Sequence, residues 1–274
     1  LDIPIRLRQT FPKVRDFGRD NPNLKSLHQI HLGRALSTSL LRPLVFLVDF
    51  ENLPSGMPDR IYDKEQFQHL LFDTDLNPNN ANLPSGYDLS VRDYYNEISN
   101  SNLEIYGNSE SIVNWTSVSQ NYSYYVDGAQ GTGGGSHGIA RSAAALIVET
   151  AMALDEDIDY SQFDNGYGAI DVVILIVSGK GGSSDYDNYF WPHMYVVPDK
   201  ANGLLDIDPN APYSSVGYFA PDGIVIRKYI VIHEQYGFGY SGADEGDIHP
   251  IGTFCHEIGH VLGLPDLYDS PLVG

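Results

Sequence analysis

Several things are scarce in this chain of 274 residues, and each scarcity removes a class of protein. It has one cysteine, Cys255, so no intrachain disulfide forms and cysteine use leaves the redox compartment undecided. No run reaches 18 consecutive apolar residues; the longest, Val172-Val173-Ile174-Leu175-Ile176-Val177, has the length of a strand and not of a membrane span. Cations are few: 16 Lys and Arg stand against 36 Asp and Glu, a net charge of -20. That balance argues against a nucleic-acid partner, whose phosphates need a basic face. It suits Ca²⁺ binding, an extracellular or saline setting, or plain solubility. The glycine run Gly131-Thr132-Gly133-Gly134-Gly135-Ser136-His137-Gly138 lacks the Lys-Ser/Thr ending of a phosphate-binding loop, and reads as a surface loop with a solvated His137. No internal repeat and no clean linker divides the chain. It begins at Leu1, which reads as a processed chain or a fragment.

What the chain does hold is concentrated near its C-terminus, in Thr253-Phe254-Cys255-His256-Glu257-Ile258-Gly259-His260-Val261-Leu262-Gly263-Leu264-Pro265-Asp266-Leu267-Tyr268-Asp269. On a helix, His256 and His260 lie on one face, one turn apart. Two imidazole nitrogens so placed can reach one Zn²⁺ at about 2.0–2.1 Å. Glu257 leaves the same turn offset from both, which suits a general base and not a third ligand. Gly263 is placed to end the helix in the left-handed conformation. The Gly-Leu-Pro turn then carries Asp266 back towards the histidines. His256, His260 and Asp266 would supply three protein ligands and leave a fourth position open, as catalytic zinc sites do. Cys255 points about 100° away from His256 and reads as a small core residue.

Upstream, Pro43-Leu44-Val45-Phe46-Leu47-Val48-Asp49-Phe50 and the apolar run from Val172 read as buried strands of an α/β sheet. Amphipathic helices are predicted over 63–72, capped by Asp63, over 90–99, capped by Ser90 with Val91, Tyr94, Tyr95 and Ile98 as its inner face, and over 139–154, about four turns. Residues 216–219 and 224–232 read as a hairpin about Ala220-Pro221-Asp222-Gly223, and as a candidate edge strand for an extended substrate. Pro250 suits the first position of the histidine-bearing helix. Asp157, Asp159, Asp164 and Asp171 flank an Asn/Gly-rich turn. Their oxygens can hold Ca²⁺, and a solvated turn accounts for them equally well.

HEIGHVLGLPDLYD, at 256–269, resembles the zinc-binding signature of the immune-inhibitor-A-like metalloproteases, the M6 peptidases. The segment SVRDYYNEISNSNLEI at 90–105, the block from Phe163 to Asp171 and Trp191-Pro192-His193 resemble that family too. The resemblance implies an α/β (α+β), zincin-like catalytic domain over 43–274, with a mixed twisted sheet, packed helices and the zinc helix near the C-terminus. It implies a secreted zinc endopeptidase acting on protein or peptide substrates, with Glu257 as base, and makes His193 a cleft-lining residue or a lesser candidate for a fourth ligand. Residues 1–42 then read as an N-terminal extension or the remnant of a pro-segment. Metzincin-like enzymes continue into a methionine turn beneath the zinc. Here Met57, Met152 and Met194 all precede His256, so the C-terminal subdomain reads as missing. The rival expectation is therefore an inactive or incomplete zincin-like domain with a structural or binding role.

Overall fold

The computed structural model describes residues 39–77, 82–84, 86–181, 186–197, 213–214, 217–237 and 246–266. Most of the N-terminal extension, parts of the loops at 74–86, 178–183 and 236–247, and the end of the signature from Leu267 lie outside the described residues.

The elements, in chain order, are strands β1 (Ser39–Leu41) and β2 (Pro43–Asp49), helices α1 (Lys64–Phe72) and α2 (Val91–Ile98), and strands β3 (Leu103–Ile105) and β4 (Ile112–Ser117). Helices α3 (Tyr122–Val126) and α4 (Ala143–Ala153) follow, then strands β5 (Val172–Lys180), β6 (His193–Val196), β7 (Tyr213–Ser214), β8 (Gly217–Phe219), β9 (Val225–Ile226) and β10 (Lys228–Gln235). Helix α5 (Ile251–Val261) comes last.

The central sheet has the order β4-β2-β5-β10-β6. The first four strands are mutually parallel, and β6 closes one edge antiparallel to β10, with Met194 opposite Ile230. Strand side chains alternate between faces, and both faces here are covered, which is why β2 and β5 are apolar throughout. Leu44, Phe46, Val48, Val173, Leu175, Val177 and Val231 pack against α3 and α4 in one core. Val45, Leu47, Ile174, Ile176, Ile230 and Ile232 pack against α1, α2 and α5 in the other. This mixed, twisted α/β arrangement is the zincin-like class that the sequence implies.

The smaller differences have local causes. Ser142 caps α4, its hydroxyl accepting from the Ala145 amide, so the helix starts later than predicted, after a short 3₁₀ turn at Gly138–Ala140. In α2, Val91 and Tyr95 are buried while Ile98 is 59% exposed, because the helix ends there and its inner face is complete without it. The predicted hairpin forms between β8 and β9. Past Arg227, however, the chain enters the central sheet as β10, between β5 and β6. Among the described residues, the edge of that sheet beside α5 therefore belongs to β6, not to the hairpin.

Candidate metal centre

Helix α5 forms because its apolar residues recur at helical spacing. Ile251, Phe254, Ile258 and Val261 lie on one side, and Phe254, Ile258 and Val261 are buried against Ile230 and Ile232 of β10. Pro250 immediately precedes the helix with φ -68°, as the N-cap and not as the first helical residue. At the other end Gly263 takes φ +91°. Its N–H donates to the His260 carbonyl at 2.9 Å and that of Leu264 to the Gly259 carbonyl at 2.9 Å. This pair of bonds is a Schellman termination. It turns the chain through Leu264-Pro265 and sets Asp266 over the helix face that carries the histidines.

Three ligand atoms meet there. His256 Nε2 and His260 Nε2 are 3.2 Å apart. Asp266 Oδ1 is 3.2 Å from each. Ligands about 2.0–2.1 Å from a tetrahedral Zn²⁺ stand roughly 3.3–3.4 Å from one another, so the donor set and its spacing fit that ion. Among the described residues this is the one place where three or more His, Cys, Asp or Glu side chains could hold a metal together. The tautomer is set as well. His260 Nδ1 lies 2.8 Å from the Leu264 carbonyl, which can only accept, so Nδ1 carries the proton and Nε2 presents its lone pair to the cluster. The Schellman turn thus places the third ligand and orients the second.

Glu257 is 4% exposed, and its carboxylate oxygen lies 3.8 Å from His256 Nε2. Burial pushes its carboxyl above the ordinary carboxylate range. The rings of His256 and His260 and the Met194 backbone amide pull it partly back, and Asp266 adds to the rise. A carboxylate so raised is better matched to taking up a proton near neutrality than an exposed one.

A family model for the immune inhibitor A peptidase M6 catalytic domain matches residues 44–274. The chain belongs to the M6 peptidase family. It is 23% identical to Immune inhibitor A of Bacillus thuringiensis subsp. alesti over 257 residues, covering 84% of this chain and 34% of that protein. It is 26% identical to the pre-pro-metalloprotease PrtV of Vibrio cholerae serotype O1 over 267 residues, covering 84% of this chain and 25% of that one. This M6 chain thus spans about a third or less of the length of the curated relatives it matches.

Two expectations for the M6 chain gain no support from the described residues. The aspartates read as a calcium site do not converge, since no three of them bring carboxylate oxygens together. Three of them are engaged locally. Asp159 accepts from the Ser161 amide at 3.1 Å, and Asp164 Oδ1 from the Gly166 and Gly168 amides at 2.9 and 2.8 Å. Asp171 is held by the Arg42 amide at 2.8 Å and the Asn165 side chain at 3.2 Å, and Asp157 is exposed. His193 likewise stands outside the three-residue group. It pairs with Val231 and faces the side of β6 away from α5, its Nδ1 2.7 Å from the Trp191 carbonyl and its Nε2 3.3 Å from the Tyr229 hydroxyl. His137 is exposed but paired, with Nδ1 2.7 Å from an Asp127 carboxylate oxygen.

Some residues around the site carry no motif. Met194 sets its amide near Glu257. Tyr95 donates its hydroxyl to the Cys255 carbonyl at 2.6 Å, and Lys228 Nζ donates to the Val261 carbonyl at 3.2 Å. In sequence, Tyr95 could be recognised only as one of several core aromatics, and Lys228 gives no signal.

Proposed function

We propose that this chain is the metal-binding domain of a zinc-dependent endopeptidase, with His256, His260 and Asp266 as ligands and Glu257 as general base. The observation that carries the reading is the triangle of 3.2 Å separations closed by two helical histidines and one turn aspartate, with a buried glutamate 3.8 Å from the first histidine. A bound Zn²⁺ supplies Lewis acidity, polarising the scissile carbonyl and lowering the pKa of water towards ~7. The chain's own groups do the rest. Glu257 takes a proton from the attacking water and returns it to the leaving amine, and its burial raises its affinity for that proton. His260, locked through Nδ1, keeps Nε2 turned inward throughout. Among the described residues β6 forms the edge of the central sheet beside α5, where an extended peptide can add as a further antiparallel strand.

The same reading places the protein outside the cell, a setting that a net charge of -20 suits. Recovery of the native protein from the cell-associated fraction alone would argue against that placement.

Digestion of an unstructured protein such as casein tests the function. The zinc-loaded chain should cleave it, and a chelator should stop cleavage. Glu257→Gln should keep stoichiometric zinc and lose about 10²–10⁴-fold in turnover. Undiminished hydrolysis by that variant would show the base to be misassigned. Zinc bound without hydrolysis by the parent chain would favour a scaffold role over a peptidase.

A further inference from the structure

Two side chains from outside the signature bracket the two histidines. Tyr95 of α2 donates its hydroxyl to the carbonyl of Cys255, the residue before His256, at 2.6 Å in a buried position. Lys228, at the start of β10, donates Nζ to the carbonyl of Val261, the residue after His260, at 3.2 Å. The Cys255 carbonyl lies in the body of the helix, so the tyrosine adds a second donor to an acceptor the helix already uses. The Val261 carbonyl is one of the last four of the helix and has no intrahelical donor. The lysine supplies one and sets a positive charge on the negative end of the dipole. Lys228 is itself kept in place, because β10 is hydrogen-bonded on both sides and the Asp171 carboxylate, held by Arg42 and Asn165, offsets part of what burial costs the ammonium.

We propose that Tyr95 and Lys228 are positioning residues for the metal centre, holding helix α5 against rotation and sliding so that His256 and His260 keep their spacing to Asp266. One anchor alone would leave the helix free to pivot about it. Two, from different elements and at opposite ends of the His256–His260 segment, fix both its angle and its depth on the sheet. A metal site of this kind tolerates displacements of only about 0.5 Å, and loss of supporting groups typically costs 10–100-fold in metal affinity. This assignment also gives Asp171 a role: it steadies the lysine.

The inference rests on the metal-centre reading, and a competition titration separates the two. The zinc-loaded full chain, its Tyr95→Phe and Lys228→Met variants and the double variant are titrated with a chelator of known zinc affinity, and melting is followed in excess chelator. Each single variant should bind zinc about tenfold more weakly than the parent and the double variant more weakly still, while chelator-treated Tyr95→Phe melts as the parent does. Lys228→Arg should recover most of the affinity, since it restores a donor and a charge to the Val261 carbonyl. Parent-like affinity in Tyr95→Phe and Lys228→Met, with the parent holding zinc, overturns the positioning role alone. A parent chain that takes up no zinc overturns the metal-centre reading and this inference with it.

Discussion

At the scale of single residues, the site divides into groups whose function is visible in their spacing and groups whose function is not. His256, Glu257 and His260 were legible because a helix turns sequence distance directly into direction. Asp266 was legible because Gly263 announces where that helix must stop. Asp157, Asp159, Asp164 and Asp171 were ambiguous for the opposite reason. Oxygen-rich turns look the same in sequence whether the carboxylates face a cation or cap their own backbone, and here Asp159, Asp164 and Asp171 accept from backbone amides. Asp266 is the most exposed of the three proposed ligands, its side chain 49% accessible, so replacing it should disturb the fold little. Asp266→Ala should lower zinc affinity by at least tenfold while melting in excess chelator stays within a degree or two of the parent. Unchanged zinc affinity would return the third ligand to some other group.

At the scale of elements, Gly259 within α5 and Gly263 just past its end make opposite demands. Gly263 has φ +91°, a conformation that costs an L-residue about 1–2 kcal/mol. Gly263→Ala should therefore lower stability and, by shifting the turn that carries Leu264 and Asp266, weaken zinc binding as well. Gly259, between the two histidines, has no such constraint. A Cβ there would meet Leu264 Cδ1 at 3.7 Å and the Tyr95 hydroxyl at 3.8 Å, ordinary contact distances. Gly259→Ala should raise stability by up to about 1 kcal/mol, since glycine is a poor helix former. On a domain of this size that is a rise of roughly 2–4 °C in melting temperature, readable by calorimetry. A fall would mean that the helix backbone lies closer to Tyr95 than these distances allow. Strand β6 shows what pattern alone could not supply. Four residues with mixed burial carry no clear period, and only the pairing with β10 reveals that, among the described residues, this short segment and not the longer apolar one after it forms the sheet edge beside the helix.

At the scale of the molecule, the sheet was readable because strands buried on both faces are apolar without interruption. The polar interior behind it was not readable. His233 is fully buried, with the Tyr122 hydroxyl 2.9 Å from its Nε2, and burial holds it down to about 3. Burial likewise takes His249 down to about 4. Both must stay neutral in the folded state, whereas the unfolded chain protonates them near 6.5. The unfolded chain thus binds more protons over that interval, and stability contributed by neutral burial is complete above about pH 6.5 and is lost as pH falls towards 4. Each histidine should remove on the order of 2 kcal/mol between pH 7 and 5. The Glu234 carboxyl, raised by burial above its ordinary value, acts in the other direction and offsets part of this. Denaturant unfolding of the chelator-treated chain at pH 7 and pH 5 gives the slope. His249→Gln should flatten it, and an equal slope in the variant would place the acid sensitivity elsewhere. The site has one more consequence, for the division of labour along the chain. All four groups proposed to hold the metal or move the proton fall between His256 and Asp266, yet a free peptide of that length would be mostly coil, because short isolated helices are marginal in water. Such a peptide would carry the right ligands in no fixed arrangement. The gap between its zinc affinity and that of the whole chain measures how far the rest of the fold acts as a mould for a chemistry it does not itself contain.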